Sequence, residues 1–149
     1  MILAGDVAIA RGDQFQFSGF EALTGKPWCF NLEGAIASSS SFLPSWGVYN
    51  DEHFMESLSC FNLAPFFLAN NHIHDIDGGV EESIAWLKAR GMLSFGAGCN
   101  VSEAETSVPF QGVSHKYLLL GFGWPVIGCQ SAGKATPGVN ALEGGGSQS

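Results

Sequence analysis

Asp6, Asn31, Glu33, Asn70, Asn71 and His72 are the side chains of this sequence best suited to chemistry, and each closely follows an apolar run. Ile2-Leu3-Ala4 leads into Gly5-Asp6, Trp28-Cys29-Phe30 into Asn31-Leu32-Glu33, and Phe66-Phe67-Leu68-Ala69 into Asn70-Asn71-His72-Ile73-His74-Asp75. One carboxylate, a second carboxylate with an amide, and an amide–imidazole pair make a donor set of oxygens with one nitrogen. Such a set suits a hard or borderline divalent cation, Mn²⁺, Mg²⁺ or Zn²⁺, better than it suits a soft thiolate site. Donors on separated strand ends around an activated water are a common plan for phosphoester hydrolysis. The bland alternative is that Asn70 and Asn71 form a turn and the histidines face solvent.

The elements that must position these groups follow from the same runs. A short apolar run bounded by polar residues is consistent with a buried parallel strand. In open α/β sheets, ligands gather where strands reach their carboxyl ends. Right-handed crossovers would bring the three strand ends to one edge. Along the second run, Phe30 and Leu32 point to one face while Asn31 and Glu33 point to the other. Asn50 or Asp51 can cap a helix running to about Phe61. Gly78-Gly79 precedes the clearest helix, Val80 to Arg90, with Glu81 and Glu82 in its first turn, Lys88 near its end and Gly91 as its stop. Leu93-Ser94-Phe95 reads as a brief strand, Ser102 to Glu105 as a helical turn, and Phe110 to Phe122 as a hairpin turning near Gly112. Phe15, Phe17 and Phe20 predict a short helix or turn lying on the sheet. Strand, helix, strand, helix, strand gives the fold class α/β, with one domain over residues 1–143 and a flexible Gly-Ser tail over 144–149.

Composition narrows the function. With 46% hydrophobic residues, the 149-residue chain can bury one real core. A net charge of −8 argues against nucleic acid or an anionic membrane as partner, since both need clustered Lys and Arg. The partner left is a small-molecule or polymer substrate; nothing fixes an oligomeric state. No apolar stretch reaches transmembrane length and no basic region precedes the first one, so the chain reads as soluble. Cys29, Cys60, Cys99 and Cys129 are too far apart for a zinc knuckle or redox motif and are expected as buried thiols.

Gly5-Asp6-Val7, Asn31-Leu32-Glu33-Gly34, Leu68-Ala69-Asn70-Asn71-His72 with Asp75, and Gly96-Ala97-Gly98 with Asn100 together resemble the bacterial capsule-synthesis family. This is the poly-γ-glutamate capsule, or CapA-type, family, whose fold is that of the calcineurin-like metallophosphoesterases. The resemblance implies a sandwich of two sheets flanked by helices, of which this chain supplies the amino-terminal half. It implies Asp6, Glu33 and Asn71 as metal ligands, and His72 as acid or electrostatic partner of the leaving group, oriented by Asp75. Asn31 and Asn70 are supporting groups, Asn31 being a weaker ligand than Glu33 because an amide bridges two cations poorly. Members of the family continue with later histidines, including a Gly-His-x-His-like element. Here the last histidine is His115, so the chain reads either as the first part of a longer protein or as a decayed copy. His74 stands where the family has an apolar residue and is expected to be exposed.

Two rivals remain. Gly128-Cys129-Gln130-Ser131-Ala132-Gly133-Lys134 has the frame of a phosphate loop, but Ala135 replaces the magnesium-binding hydroxyl and Pro137 blocks the following helix. The other is a non-catalytic binding or assembly module of the same fold.

Overall fold

The computed structural model describes residues 1–10, 18–19, 21–23, 25–38, 43 and 46–142. The short element expected around Phe15, Phe17 and Phe20 and the tail over 144–149 lie outside them.

A parallel sheet carries the site. Its strands β1 (Ile2–Val7), β2 (Pro27–Leu32), β6 (Phe66–Phe67) and β7 (Ser94–Phe95) lie in the order β1-β2-β6-β7. Between β2 and β6 the chain forms β3 (Ala35–Ala37), β4 (Tyr49–Asp51), helix α1 (Glu52–Ser57), a 3₁₀ turn over Leu58–Cys60, and β5 (Asn62–Leu63). β5 pairs the start of β2 and β6 pairs its end. Pro65, which cannot donate to a ladder, separates the two. Helix α2 (Gly79–Ala89) forms the crossover from β6 to β7. The carboxyl ends of β1, β2 and β6 therefore reach the same edge, as the apolar runs imply.

Sequence sets the local elements. Asp51 caps α1 by accepting from the His53 N–H at 3.0 Å, and Gly91 adopts φ +70° just beyond α2, where a left-handed residue ends a helix cheaply. Gly79 is needed for close approach. A Cβ there would lie 2.5 Å from the Ile73 carbonyl oxygen and 2.8 Å from the Ala35 Cβ, so α2 could not sit on β3. The expected hairpin forms from β9 (Val108–Gln111) and β10 (Lys116–Leu119). The stretch after Cys129, in which composition suggests no element, contributes β11 (Gly138–Val139), paired with β8 (Ala97–Gly98) beside the short helix α3 (Val101–Ala104).

The core lies on the Phe30 face of β2. Trp28, Phe30, Phe61 and Phe66 pack with ring centroids 5.0–6.2 Å apart, while Leu32, Leu58, Leu68 and Leu87 are fully buried. The opposite face of β2 buries Cys29 against Ala64 and Phe95. The thiols split: Cys29 and Cys129 are buried but Cys60 and Cys99 are exposed, contrary to the expectation of four buried thiols. Burial pushes the Cys29 thiol up to about 11. After Lys134 the chain makes bends and then β11, so the phosphate-loop frame lacks its helix.

Phe66 is wholly buried between β2 and β7, so Phe66→Ala should cost about 3–5 kcal/mol. Urea unfolding monitored by circular dichroism checks this; a loss below about 1 kcal/mol would place Phe66 outside the core.

Candidate functional site

Asp6, Asn31, Glu33, Asn70 and Asn71 line one cavity of about 350 Å³ together with Phe67, Ala69, Phe122, Gly123, Trp124 and Ile127. The way Asp6 arrives there is not legible in a simple strand register. Ile2 pairs with Trp28 and Leu3 with Cys29, but Asp6 pairs with Asn31 and Val7 with Leu32. One extra residue of β1 is thus accommodated between Leu3 and Asp6. The bulge shifts the pleat, so that Asp6 shares the face of Asn31 and not that of Leu32.

The three polar tips are hydrogen-bonded together. The Asn31 amide donates from Nδ2 to Asp6 Oδ1 and to Glu33 Oε2, both at 2.7 Å. Asn70, 5% exposed, accepts from the backbone N–H of Gly34 and of His72 at 3.1 Å each and donates to the Leu32 carbonyl at 2.7 Å. Its amide therefore ties the end of β2 to the turn that follows β6. The turn of the bland alternative does form, but its first amide faces inward as a clamp. The His72 ring directs Nδ1 at Asp75 Oδ2, 2.7 Å away, and its Nε2 lies 4.0 Å from Glu33 Oε1. Asp75 Oδ2 also accepts from the Val48 N–H at 2.8 Å, which holds the carboxylate in place. His72 and Asp75 stand beside Glu33 and are not among the residues lining the cavity. Asn71 lines it from the side of Gly128.

His74 departs from expectation. Its Nε2 is buried without a hydrogen-bond partner among the described residues, and burial lowers the pKa of its ring. It packs near Gln130 and away from the cavity lining.

Sequence reasoning passed over the apolar wall. Gly121 and Gly123 bring it over the sheet edge: a Cβ at Gly121 would meet Phe67 Cε2 at 2.7 Å, and one at Gly123 would meet Val139 Cγ2 at 2.7 Å. Asn140, also buried, donates to the Gly121 carbonyl at 2.9 Å, and its own carbonyl accepts from the Gly123 N–H at 2.8 Å. Glycines alternating with Phe122 and Trp124 were the available signal.

The donor set can be tested against a cation. The polarised Asn31 N–H₂ stands between two carboxylate oxygens, a position that favours positive charge, and the oxygens of Asp6, Glu33 and Asn71 fit a hard ion. Among the described residues no group of three or more His, Cys, Asp or Glu is arranged to hold a metal ion, so amides would have to complete the set.

A parallel sheet crossed by helices, with polar strand ends on one edge, is an α/β fold consistent with the metallophosphoesterase-like class. The bacterial capsule synthesis protein family, PGA_cap, matches residues 25–146, and the chain belongs to that family. Asn31, Glu33, Asn70, Asn71, His72 and Asp75 fall inside the matched segment; Asp6 precedes it. No curated protein matches the chain closely enough to be called a relative. No helix among the described residues is long and apolar enough to cross a membrane.

Two outcomes follow from this geometry. Asn70→Ala leaves the buried Leu32 carbonyl and the Gly34 N–H without partners, so it should cost about 2–4 kcal/mol, measured by urea unfolding. Wild-type stability in that variant would mean the clamp is dispensable. For Glu33, burial raises the carboxyl pKa; the Asn31 hydrogen bond and His72 lower it, while Asp6 and Asp75 raise it further, and the net shift is upward. The folded chain then holds this proton to higher pH than the unfolded chain. The associated stability is present below the ordinary carboxylate pKa and is lost as pH rises through the raised folded value. Glu33→Gln should therefore match wild type in acid and melt at higher temperature near neutrality in chelator. Melting curves that stay parallel from about pH 4 to about pH 7 would contradict the shift.

Proposed function

We propose that this capsule synthesis protein carries a metal-dependent phosphoesterase-like hydrolase site. The single observation that carries the reading is the pair of carboxylates, Asp6 and Glu33, drawn to within 2.7 Å of one amide nitrogen at the strand ends. Asp6, Glu33 and Asn71 would hold a divalent ion, Mn²⁺, Mg²⁺ or Zn²⁺, with Asn31 and Asn70 supporting them. When bound, such an ion lowers the pKa of a water and polarises a phosphoryl oxygen.

The chain's own residues supply positioning and the proton. Asp75 accepts from His72 Nδ1, which fixes the ring so that Nε2 faces the Glu33 side of the site. From there Nε2 acts as acid or electrostatic partner toward the departing oxygen. Phe122, Trp124 and Ile127 line the same cavity and offer apolar surface to the part of the substrate beside the reacting group. The polymer that the family resemblance implies is poly-γ-glutamate. That polymer is an amide chain with no phosphate ester, so the bond cut here belongs to another molecule, a precursor or carrier in capsule synthesis.

A non-catalytic binding or assembly module is the second reading. It is favoured by the lack, among the described residues, of a cluster of three or more His, Cys, Asp or Glu able to hold a metal.

Hydrolysis of bis-p-nitrophenyl phosphate with Mn²⁺ or Zn²⁺ separates the two. The enzyme reading expects metal-dependent turnover that falls at least about 100-fold in Asp6→Asn and in His72→Ala, with the fold intact, since both side chains lie outside the core. Turnover that survives both substitutions would move the site elsewhere. No turnover, with no metal-induced rise in melting temperature, would favour the binding module.

A further inference from the structure

Among the described residues, the cavity beside the carboxylates is lined by no Lys or Arg. Its lining combines Asp6, Glu33 and three asparagines with Phe67, Phe122, Trp124 and Ile127. Phe122 and Trp124 are 43% and 48% exposed, large apolar surfaces left facing solvent at the mouth of a polar site. Their position is fixed, because Gly121 and Gly123 press this segment onto Phe67 and Val139 and Asn140 bonds it on both sides.

Among the described residues an anionic group finds no cationic side chain in the lining, and the two carboxylates would repel it. A purely apolar group would strip water from Asn31, Asn71 and Glu33 and give nothing back, which costs free energy for every unpaired polar atom. A neutral, hydroxylated ring suits both the polar and the aromatic parts of the lining. Its C–H face lies on the Trp124 and Phe122 rings, and its hydroxyls donate to the carboxylate oxygens of Asp6 and Glu33 and accept from the Asn71 amide. We propose that the Phe122–Trp124 wall is a subsite for a neutral sugar-like ring, seated beside the carboxylates of the strand ends. Where the phosphoesterase reading holds, this ring belongs to the ester's leaving or retained alcohol. The subsite rests on that reading for its role in a reaction but not for its binding.

Saturation-transfer NMR on the metal-free protein, with methyl β-D-glucopyranoside as probe, tests the subsite without needing catalysis. The expected result is transfer to the ring C–H protons, kept in Trp124→Phe and lost in Trp124→Ala. Binding should weaken roughly fivefold in Phe122→Ala, the ratio given by an aromatic contact of about 1 kcal/mol. Circular dichroism confirms that the variants fold. The proposal is overturned by absence of transfer in wild type, by equal transfer in Trp124→Ala, or by transfer to a γ-glutamyl pentapeptide and not to the glucoside. Failure of bis-p-nitrophenyl phosphate hydrolysis leaves this readout untouched, so the subsite and the enzyme reading fail separately.

Discussion

Everything at the sheet edge depends on the Asn70 side-chain amide. It is buried, and a buried amide is stable only when its donors and acceptor find partners. The Leu32 carbonyl on β2 and the N–H groups of Gly34 and His72 supply them. The bonds to Leu32 and Gly34 join segments almost forty positions apart in the chain, and the bond from His72 sets where the turn begins. From His72 the linkage runs through Nδ1 to Asp75, and from Asp75 to the backbone of Val48. Gly34 closes the same knot. With φ +82° and a would-be Cβ only 2.2 Å from the Val48 carbonyl oxygen, it leaves no room for a side chain. Asn50, fully buried, adds a further tie by donating to the Glu33 carbonyl at 2.9 Å and accepting from the Ile9 N–H at 3.1 Å.

The frame holds charge in an unfavourable place. Glu33 is partly desolvated and stands near Asp6 and Asp75, so its ionised form is disfavoured even with Asn31 donating to it. Structural side chains are seldom arranged at this cost, whereas sites that handle cations or protons often are. Phe122, Trp124 and Ile127 line the same cavity as the carboxylates, yet each keeps about half of its surface in water. The carboxylates and the aromatic residues line one cavity, although they come from segments far apart in the chain.

Much of this was legible in the residues. Apolar runs ending in Asp6, in Asn31 with Glu33, and in Asn70-Asn71-His72 mark strand ends because a buried parallel strand must be apolar until it leaves the sheet. The helix at Gly79–Ala89 and the hairpin of β9 and β10 follow from periodicity and glycine stops. The wall was not legible, because Phe122 and Trp124 read as two more aromatics in a Gly-rich run. Nor was the exposure of Cys60 and Cys99, or the inward turn of His74. Burial of a single residue depends on which distant segment covers it, and local pattern does not carry that.

By itself, then, the sequence determined that these polar side chains close successive strands, since hydrophobic pattern and turn chemistry are local properties. Only the tertiary structure decided that they meet. The bulge in β1 puts Asp6 on the Asn31 face, the Asn70 amide locks β2 to the turn beyond β6, and paired glycines lay Trp124 across the same cavity. Each is a contact between segments far apart in the chain, whose geometry is fixed by the packing of the whole fold.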